Sequence, residues 1–196
     1  MSIGSSTLAP LPDVLSHGLV AVSTFGLLSF FCSTSLFLYL SYRLISWHLC
    51  PFSSSYIFHS SPVKKPPINQ FLFLIYNLLL ADIQQSIAFL LNISALRNNG
   101  IYVGTTTCFA QGWFVSTGDL ASSVFISAIA IHTWLGVVKE YRVPGWAFYG
   151  GILGMWAFVY GMAIAGVIWH GRGLYERASA WVCYHVSPLD SFHIIN

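Results

Sequence analysis

Apolar residues dominate four stretches of the chain, and polar residues gather between them. The stretches cover residues 18–45, 69–96, 108–138 and 146–169, and their charged residues are Arg43, Asp82 and Asp119. A helix needs roughly 20 mostly apolar residues, each rising about 1.5 Å, to cross a hydrocarbon core about 30 Å thick. Each stretch exceeds that length. The pattern therefore predicts an all-α fold, a polytopic membrane helix bundle with four transmembrane helices.

The composition argues against a soluble domain. Hydrophobic residues make up 56% of the chain and charged residues only 7%, whereas soluble domains carry about 25% charged residues. The net charge of +2 is small and no basic run is present, so we expect no nucleic-acid partner. The lipid bilayer is the first expected partner.

The polar segments divide the chain into three parts: a tail over residues 1–17, the transmembrane domain over 18–169, and a segment over 170–196 without a further span. Loops that stay in the cytoplasm carry an excess of Lys and Arg. One side of the membrane receives Arg43, Lys64, Lys65, Lys139 and Arg142, and the other receives Arg97, Arg172 and Arg177. The bias predicts that the first and third connectors are cytoplasmic and that both ends of the chain are outside.

Two carboxylates lie near the middle of their stretches. Placing Asp at a helix centre costs about 2.5 to 3.5 kcal/mol on insertion scales, so such residues normally face protein or water. Asp82 and Asp119 should reach similar depths on antiparallel neighbours, where they could share a cation, a proton or a polar ligand. The alternative is a purely structural role, in which each Asp is hydrogen-bonded to a Ser, Thr or Asn of a neighbouring helix.

Other polar residues sit within the spans. Ser116, Asp119, Ser123 and Ser127 recur at spacings of three and four, which places them on one helix face. We expect this third helix to be central in the bundle. Further polar groups within spans are Asn77, Gln111 and His132, and the fourth stretch carries Gly150 and Gly154 at a spacing that permits close helix contact.

The chain shows no catalytic pattern. It has no nucleophile motif, phosphate loop or metal-spaced His/Glu set, so we expect no enzyme and no metal site. Haem would need two His at matching depth, and only His132 lies well inside a stretch, so no cofactor is expected. Cys108 and Cys183 fall on the predicted outer side, where a disulfide bond is allowed, although two unpaired thiols remain the alternative.

Two segments resemble a known family. The run YNLLLAD (Tyr76 to Asp82), followed by IQQSIAFLL, resembles the second helix of fungal G-protein-coupled receptors. The run TTTCFAQGWFVSTGDLASSVFISAIAIHTWLGVV (Thr105 to Val138) resembles their third helix. These receptors include the glucose-sensing group and relatives of the slime-mould cyclic-AMP receptors.

The resemblance implies a plasma-membrane, multi-pass receptor with an extracellular N terminus that senses an external small molecule or nutrient. It pairs Cys108 with Cys183 and turns Lys139, Glu140 and Arg142 towards a heterotrimeric G protein. We expect a ligand to bind between the helices towards the outer side, lined by Asp119, Ser116, Ser123 and Gln111.

The chain departs from that family in two respects. The end of the third helix reads His132-Thr133-Trp134, without the acidic-Arg-aromatic triplet of rhodopsin-like receptors. Only the first four of seven helices are present, so the resemblance implies a fragment, a truncated gene model or a short isoform. The rival hypotheses are a proton- or ion-coupled transporter or channel component that uses Asp82 and Asp119, and a structural four-span module.

Overall fold

The structure is a computed structural model that describes residues 10–49, 69–100, 102, 105–170, 176–178 and 182–184. Five α-helices and one short strand pair make up the described chain. They are α1 (Asp13–Leu49), α2 (Gln70–Leu90), α3 (Asn92–Arg97), α4 (Thr106–Val137), α5 (Gly145–His170), β1 (Glu176–Ala178) and β2 (Val182–Tyr184).

Four helical segments are long and apolar enough to cross a membrane, which confirms the predicted all-α membrane bundle. They are Asp13–Ser46, Gln70–Arg97, Thr106–Val137 and Gly145–Trp169. The second of these joins α2 and α3, which meet at Leu91. The predicted stretches agree with these bounds to within about five residues, and the largest difference is at the start of α1.

Local hydrogen bonds explain where the helices begin. The backbone N–H groups of Leu15 and Ser16 both donate to the Pro12 carbonyl at 3.0 Å, so α1 begins within the predicted tail. The side chain of Asn69 accepts a bond from the Phe71 N–H at 3.1 Å and caps α2. Thr105 caps α4 in the same way, because its Oγ1 accepts a bond from the Cys108 N–H at 3.3 Å. Such caps pair backbone donors that the first turn of a helix leaves free.

Helix α2 occupies the centre of the bundle. It packs along α4 on one side and along α1 on another, while α5 packs on α4. A buried apolar cluster holds α2, α4 and α5 together; its members are Leu74, Ala81, Ala121, Phe125, Phe148, Ile152 and Val159. The Phe125 and Trp156 rings lie 5.2 Å apart beside this cluster.

The expectation that α4 is the central helix is not met. One side of α4 is buried against α2, but the side that carries Asp119, Ser123 and Ser127 is exposed. The central position falls to α2, whose side chains form hydrogen bonds with α1, α4 and α5.

The glycines of α5 also differ from the expectation. A Cβ atom added at Gly150 or Gly154 would meet nothing within 4 Å among the described atoms. The close contacts occur at two other glycines: a Cβ at Gly26 would lie 2.8 Å from the Phe89 Cβ, and one at Gly118 would lie 2.9 Å from the Gln85 Cβ. Close backbone approach therefore occurs where α1 and α4 each meet α2.

A short hairpin follows the bundle. Strands β1 and β2 pair antiparallel, with Arg177 opposite Cys183. Strand β2 lies against α4. The hairpin falls in the segment 170–196, for which the sequence predicts no further span.

Candidate functional site

Polar side chains form a seam along the contact between α2 and α4. Four pairs bridge the two helices: Gln70 with His132, Asp82 with Ser122, Gln85 with Asp119, and Asn92 (the first residue of α3) with Gln111. In every pair the two residue numbers add to between 202 and 204, as expected for antiparallel helices in one register. At about 1.5 Å per residue the seam extends for roughly 30 Å, the thickness of a hydrocarbon core.

Asp82 lies in the interior part of this seam. The Ser122 hydroxyl donates to its Oδ1 at 3.3 Å. The Ser86 hydroxyl donates to the Asp82 carbonyl at 2.7 Å and lies 3.1 Å from the Ser29 hydroxyl of α1. Asp82 is half-buried and stands twelve residues into α2, about 18 Å along the axis. Its carboxylate is thus bonded to a neutral hydroxyl group of α4, while the hydroxyls of Ser86 and Ser29 are connected to its backbone carbonyl.

Asp119 lies one turn away but is exposed. The Gln85 side-chain amide donates to its Oδ1. The close approach at Gly118 brings Gln85 near enough to reach this carboxylate. The Ser123 hydroxyl donates to the Asp119 carbonyl at 2.8 Å and so leaves the carboxylate to Gln85.

Each carboxylate therefore bonds to a neutral side chain of the opposite helix. Among the described hydrogen bonds, none joins Asp82 to Asp119, and none of the described side chains forms a salt bridge with either. Among the described residues, no group of three His, Cys, Asp or Glu could hold a metal ion. The Asp82–Ser122 bond is of the kind expected if the carboxylates have a purely structural role, whereas Asp119 bonds to a Gln rather than to a Ser, Thr or Asn. The exposed carboxylate of Asp119 also keeps an oxygen available to another donor.

Two further contacts tie α5 to α2. The Trp156 indole N–H donates to the Asn77 Oδ1 at 2.9 Å, and the Asn77 amide donates to the Phe73 carbonyl at 2.8 Å. The Tyr160 hydroxyl donates to the Gln84 Oε1 at 3.3 Å. Asn77, selected from the sequence as a polar group within a span, is thus buried and bonded at both ends of its amide.

His132 is half-buried and also forms a contact between helices. Its Nε2 lies 3.1 Å from the Gln70 Oε1, and the Gln70 amide donates to the Val143 carbonyl at 2.9 Å. The Phe148 ring packs edge-on against the imidazole at 5.9 Å. His132 therefore connects α4 to the start of α2 and, through Gln70, to the loop before α5.

The serine face of α4 is largely satisfied by its own helix. The hydroxyls of Ser116 and Ser127 donate to the carbonyls of Trp113 at 3.1 Å and Ser123 at 2.8 Å. Ser123 bonds to the Asp119 carbonyl in the same way. A hydroxyl bonded within its helix keeps acceptor lone pairs but no longer offers its hydrogen.

One end of the bundle, called here the Cys108 end, holds a small cavity where α3 meets α4. Its volume is about 90 Å³. Lining residues include Ser94, Tyr102, Thr105, Cys108 and Gln111. Beside it the Gln111 amide donates to the Asn92 Oδ1 at 2.6 Å, and the Asn92 Nδ2 is buried with no partner in the described chain. Gln111 is the one predicted ligand-lining residue that contacts this cavity.

Cys108 is buried at the same end and belongs to a disulfide bond. The side chain of Cys183, its predicted partner, lies outside the described part of the structure. Asn92 heads a glycosylation sequon in the sequence, but only 2% of its surface is exposed. An asparagine so enclosed cannot accept a bulky glycan without opening the helix contact.

The opposite end, called here the Lys139 end, carries the loop between α4 and α5. Lys139, Glu140 and Arg142 are all exposed there. The Lys139 ammonium lies 5.4 Å from the centre of the Trp134 ring, and Glu140 adopts a φ of 51° as the chain turns. The loop thus exposes its charged side chains beyond the end of α4.

Most partners in these pairs are not predicted from the sequence. Gln70 and Trp156 are not candidate residues there, and Ser122 and Gln85 stand out only as polar residues within spans, not as the partners of Asp82 and Asp119. The available signal was their occurrence within spans, where every amide and hydroxyl needs a partner.

Comparison with known proteins does not identify a family for this chain. No family model matches the chain, and no curated protein is significantly similar to it.

Proposed function

We propose that this chain is part of a membrane receptor that senses an external small molecule and signals to a heterotrimeric G protein. In this proposal the bundle lies in the plasma membrane with its N terminus and the Cys108 end outside. The proposal rests on the resemblance of the α2 and α4 segments to fungal G-protein-coupled receptors. The observation that carries it in the structure is the chemical difference between the two ends.

The Cys108 end suits the capture of a small solute. It combines a cavity of about 90 Å³, polar lining groups such as Gln111, and a buried Asn92 amide with an unused donor. A cavity of this size accommodates a few water molecules or a small polar group. We propose that it is the outer part of a ligand site that continues along α4 past Ser116 to Asp119 and Ser123.

The disulfide bond fits an outer location for this end, because such bonds persist in oxidising compartments. We propose Cys183 as the partner of Cys108. Strand β2 contains Cys183 at its centre and lies against α4, which begins two residues before Cys108. The bond would hold the hairpin over the cavity.

The Lys139 end suits contact with a cytoplasmic protein. Its loop is only seven residues long between α4 and α5, and its charged side chains are exposed. Lys139, Glu140 and Arg142 would form the G-protein-facing surface. The excess of Lys and Arg on this side favours the same orientation.

A second candidate is a proton- or ion-coupled transporter or channel component. The observation that favours it is the exposed carboxylate of Asp119 at mid-span, one turn from Asp82 and without a cationic partner among the described residues. Carboxylates at such depth commonly belong to ion or proton pathways.

Photo-cross-linking at two exposed tyrosines tests the receptor proposal. Tyr141 lies in the Lys139-end loop and is 55% exposed, and Tyr102 lies at the Cys108 end and is 45% exposed. A photoreactive phenylalanine analogue at position 141 should capture a Gα subunit in cell membranes, and the same analogue at 102 should not. Absence of a Gα adduct at 141, or equal adducts at both positions, would contradict the proposal.

Uptake measurements test the transporter candidate. Reconstituted chain should dissipate an imposed proton or sodium gradient, and Asp119→Asn should abolish the flux. The exposed Asp13→Asn, which removes a carboxylate from the start of α1, is the matched control. Gradient retention by the unaltered chain, or equal flux through Asp119→Asn, would eliminate this candidate.

A further inference from the structure

A lateral cleft opens between α1 and α2 near the middle of the spans. Its volume is about 320 Å³, within the range of small-molecule sites. Phe25, Gly26 and Ser29 line it from α1, and Gln85 and Phe89 line it from α2. The walls are mostly apolar, and the polar groups are the Gln85 amide and the hydroxyls of Ser29 and Ser86, which are hydrogen-bonded to each other at 3.1 Å.

Asp119 is hydrogen-bonded to a residue that lines this cleft. Gln85 lines the cleft, and its side-chain amide donates to the Asp119 carboxylate on the neighbouring helix α4. Asp119 is exposed and stands thirteen residues into α4, about 20 Å along its axis. The cleft and this acid therefore both lie well inside segments that are long and apolar enough to cross a membrane.

The charge of this acid has no counterpart in the described chain. Arg43, Arg97, Lys139 and Arg142 are the Lys and Arg residues whose side chains the structure describes, and each lies in the last turns of a helix or in a loop. Ser123 bonds to the backbone of Asp119 and Gln85 supplies a neutral amide, so the carboxylate Oδ2 has no partner among the described residues. A carboxylate facing lipid at this depth is costly, and a complementary cation removes that cost.

We infer that the cleft binds a lipophilic amine, an apolar chain that carries a primary ammonium, with its N–H groups donating to Asp119. The apolar chain would lie between Phe25 and Phe89, and the ammonium would also reach the Ser29 hydroxyl. This inference deepens the proposed function and rests on it, because it names the class of molecule that the receptor senses and places the entry route in the bilayer.

Photolabelling in lipid nanodiscs tests the inference with three matched probes. Each is a twelve-carbon chain with a diazirine, ending in a primary amine, an alcohol or a carboxylic acid. The amine should label peptides around residues 22–29 and 85–89 at least five times more than the alcohol. Unlabelled dodecylamine should suppress that labelling. Equal labelling by amine and alcohol would show partition into lipid alone and overturn the inference.

Variants distinguish the effect of losing the Asp119 carboxylate from that of a general loss of folding. Asp119→Asn should reduce amine labelling to the level of the alcohol, and Ser29→Phe should reduce it by filling the cleft while leaving the Asp119–Gln85 pair in place. Asp13→Asn and Ser127→Ala lie away from the cleft and should label as the unaltered chain does. Full amine labelling in both Asp119→Asn and Ser29→Phe would overturn the site.

The outcome is distinguishable from that of the receptor proposal. Cross-linking of Gα at position 141 does not depend on the amine probe. A Gα adduct without selective amine labelling would overturn the inference and leave the receptor standing. Selective amine labelling without a Gα adduct would support the cleft as a binding site and contradict the receptor.

Discussion

Gly118 of α4 lies against Gln85 of α2 so closely that a Cβ on the glycine would come within 2.9 Å of the Gln85 Cβ and 3.0 Å of its Cα. The second of these atoms belongs to the backbone and cannot rotate away. This contact sets the separation of the two helices at mid-span. The Gln85–Asp119 bond lies at this contact, and the Asp82–Ser122 bond lies about one helical turn away.

Gly118→Ala should therefore destabilise the bundle by about 1 to 3 kcal/mol, the usual cost of adding a methyl group to a fully packed site. The helices must separate by several tenths of an ångström to admit the methyl group. Unfolding of the purified chain in mixed micelles measures the change.

Gly154→Ala is the matched control, because nothing lies within 4 Å of that position among the described atoms. Alanine is favoured over glycine in a helix by about 1 kcal/mol. This variant should therefore be neutral or slightly stabilising. Equal destabilisation by both variants would contradict the close contact at Gly118.

The pair of Gln85 and Asp119 should show measurable energetic coupling. Hydrogen bonds between membrane helices contribute about 0.6 kcal/mol on average and up to about 1.7 kcal/mol. A double-mutant cycle with Gln85→Ala and Asp119→Ala should return a coupling in that range. The same cycle with Ser127→Ala in place of Asp119→Ala should return none, because Ser127 bonds to its own helix. Coupling in the second cycle alone would argue against the seam.

Glycan mapping tests the proposed orientation. Gly4→Asn creates a sequon in the N-terminal tail, which is on the same side of the membrane as Asn92 when α1 and α2 both span. With the N terminus outside, the Gly4→Asn variant should carry a glycan that an endoglycosidase removes. The native sequon at Asn92 should remain unmodified because that side chain is buried. An unmodified Gly4→Asn variant would favour the opposite orientation.

The disulfide bond of Cys108 should be structurally important. Loss of a native bridge costs about 2 to 4 kcal/mol in typical cases. With Cys183 as the partner, Cys108→Ser, Cys183→Ser and the double variant should all lose the same stability, and peptide mapping without reductant should recover the linked peptides. Additive losses in the double variant would exclude this pairing.

Much of the fold follows from the sequence, because span length and apolar content are local properties. The first boundary differs, since α1 begins at Asp13 rather than Gly18 owing to the bonds that Pro12 accepts. The break at Leu91 is also not predicted, and α3 continues the span with Leu91 as its N-terminal cap residue.

The site is predicted less well from the sequence, because each hydrogen-bonded pair depends on the rotation and register of two helices. Asp82 and Asp119 stand out by their charge, but Ser122 and Gln85 become partners only in the register that Gly118 permits. Ser116, Asp119, Ser123 and Ser127 were grouped correctly by helical spacing. Spacing alone does not say whether such a face is buried, and Asp119, Ser123 and Ser127 are exposed.

Cross-linking across the α2–α4 seam in native membranes tests the central claim most directly. Cysteine replacements at Asp82 with Ser122, and at Asn92 with Gln111, should each be joined by a short thiol-reactive cross-linker after Cys32 and Cys50 are changed to Ser. The exchanged pairs, 82 with 111 and 92 with 122, use the same four positions but lie about 15 Å out of register, and they should not react. Equal cross-linking of the exchanged pairs, or none in the matched pairs, would contradict the seam and the four-span bundle built around α2.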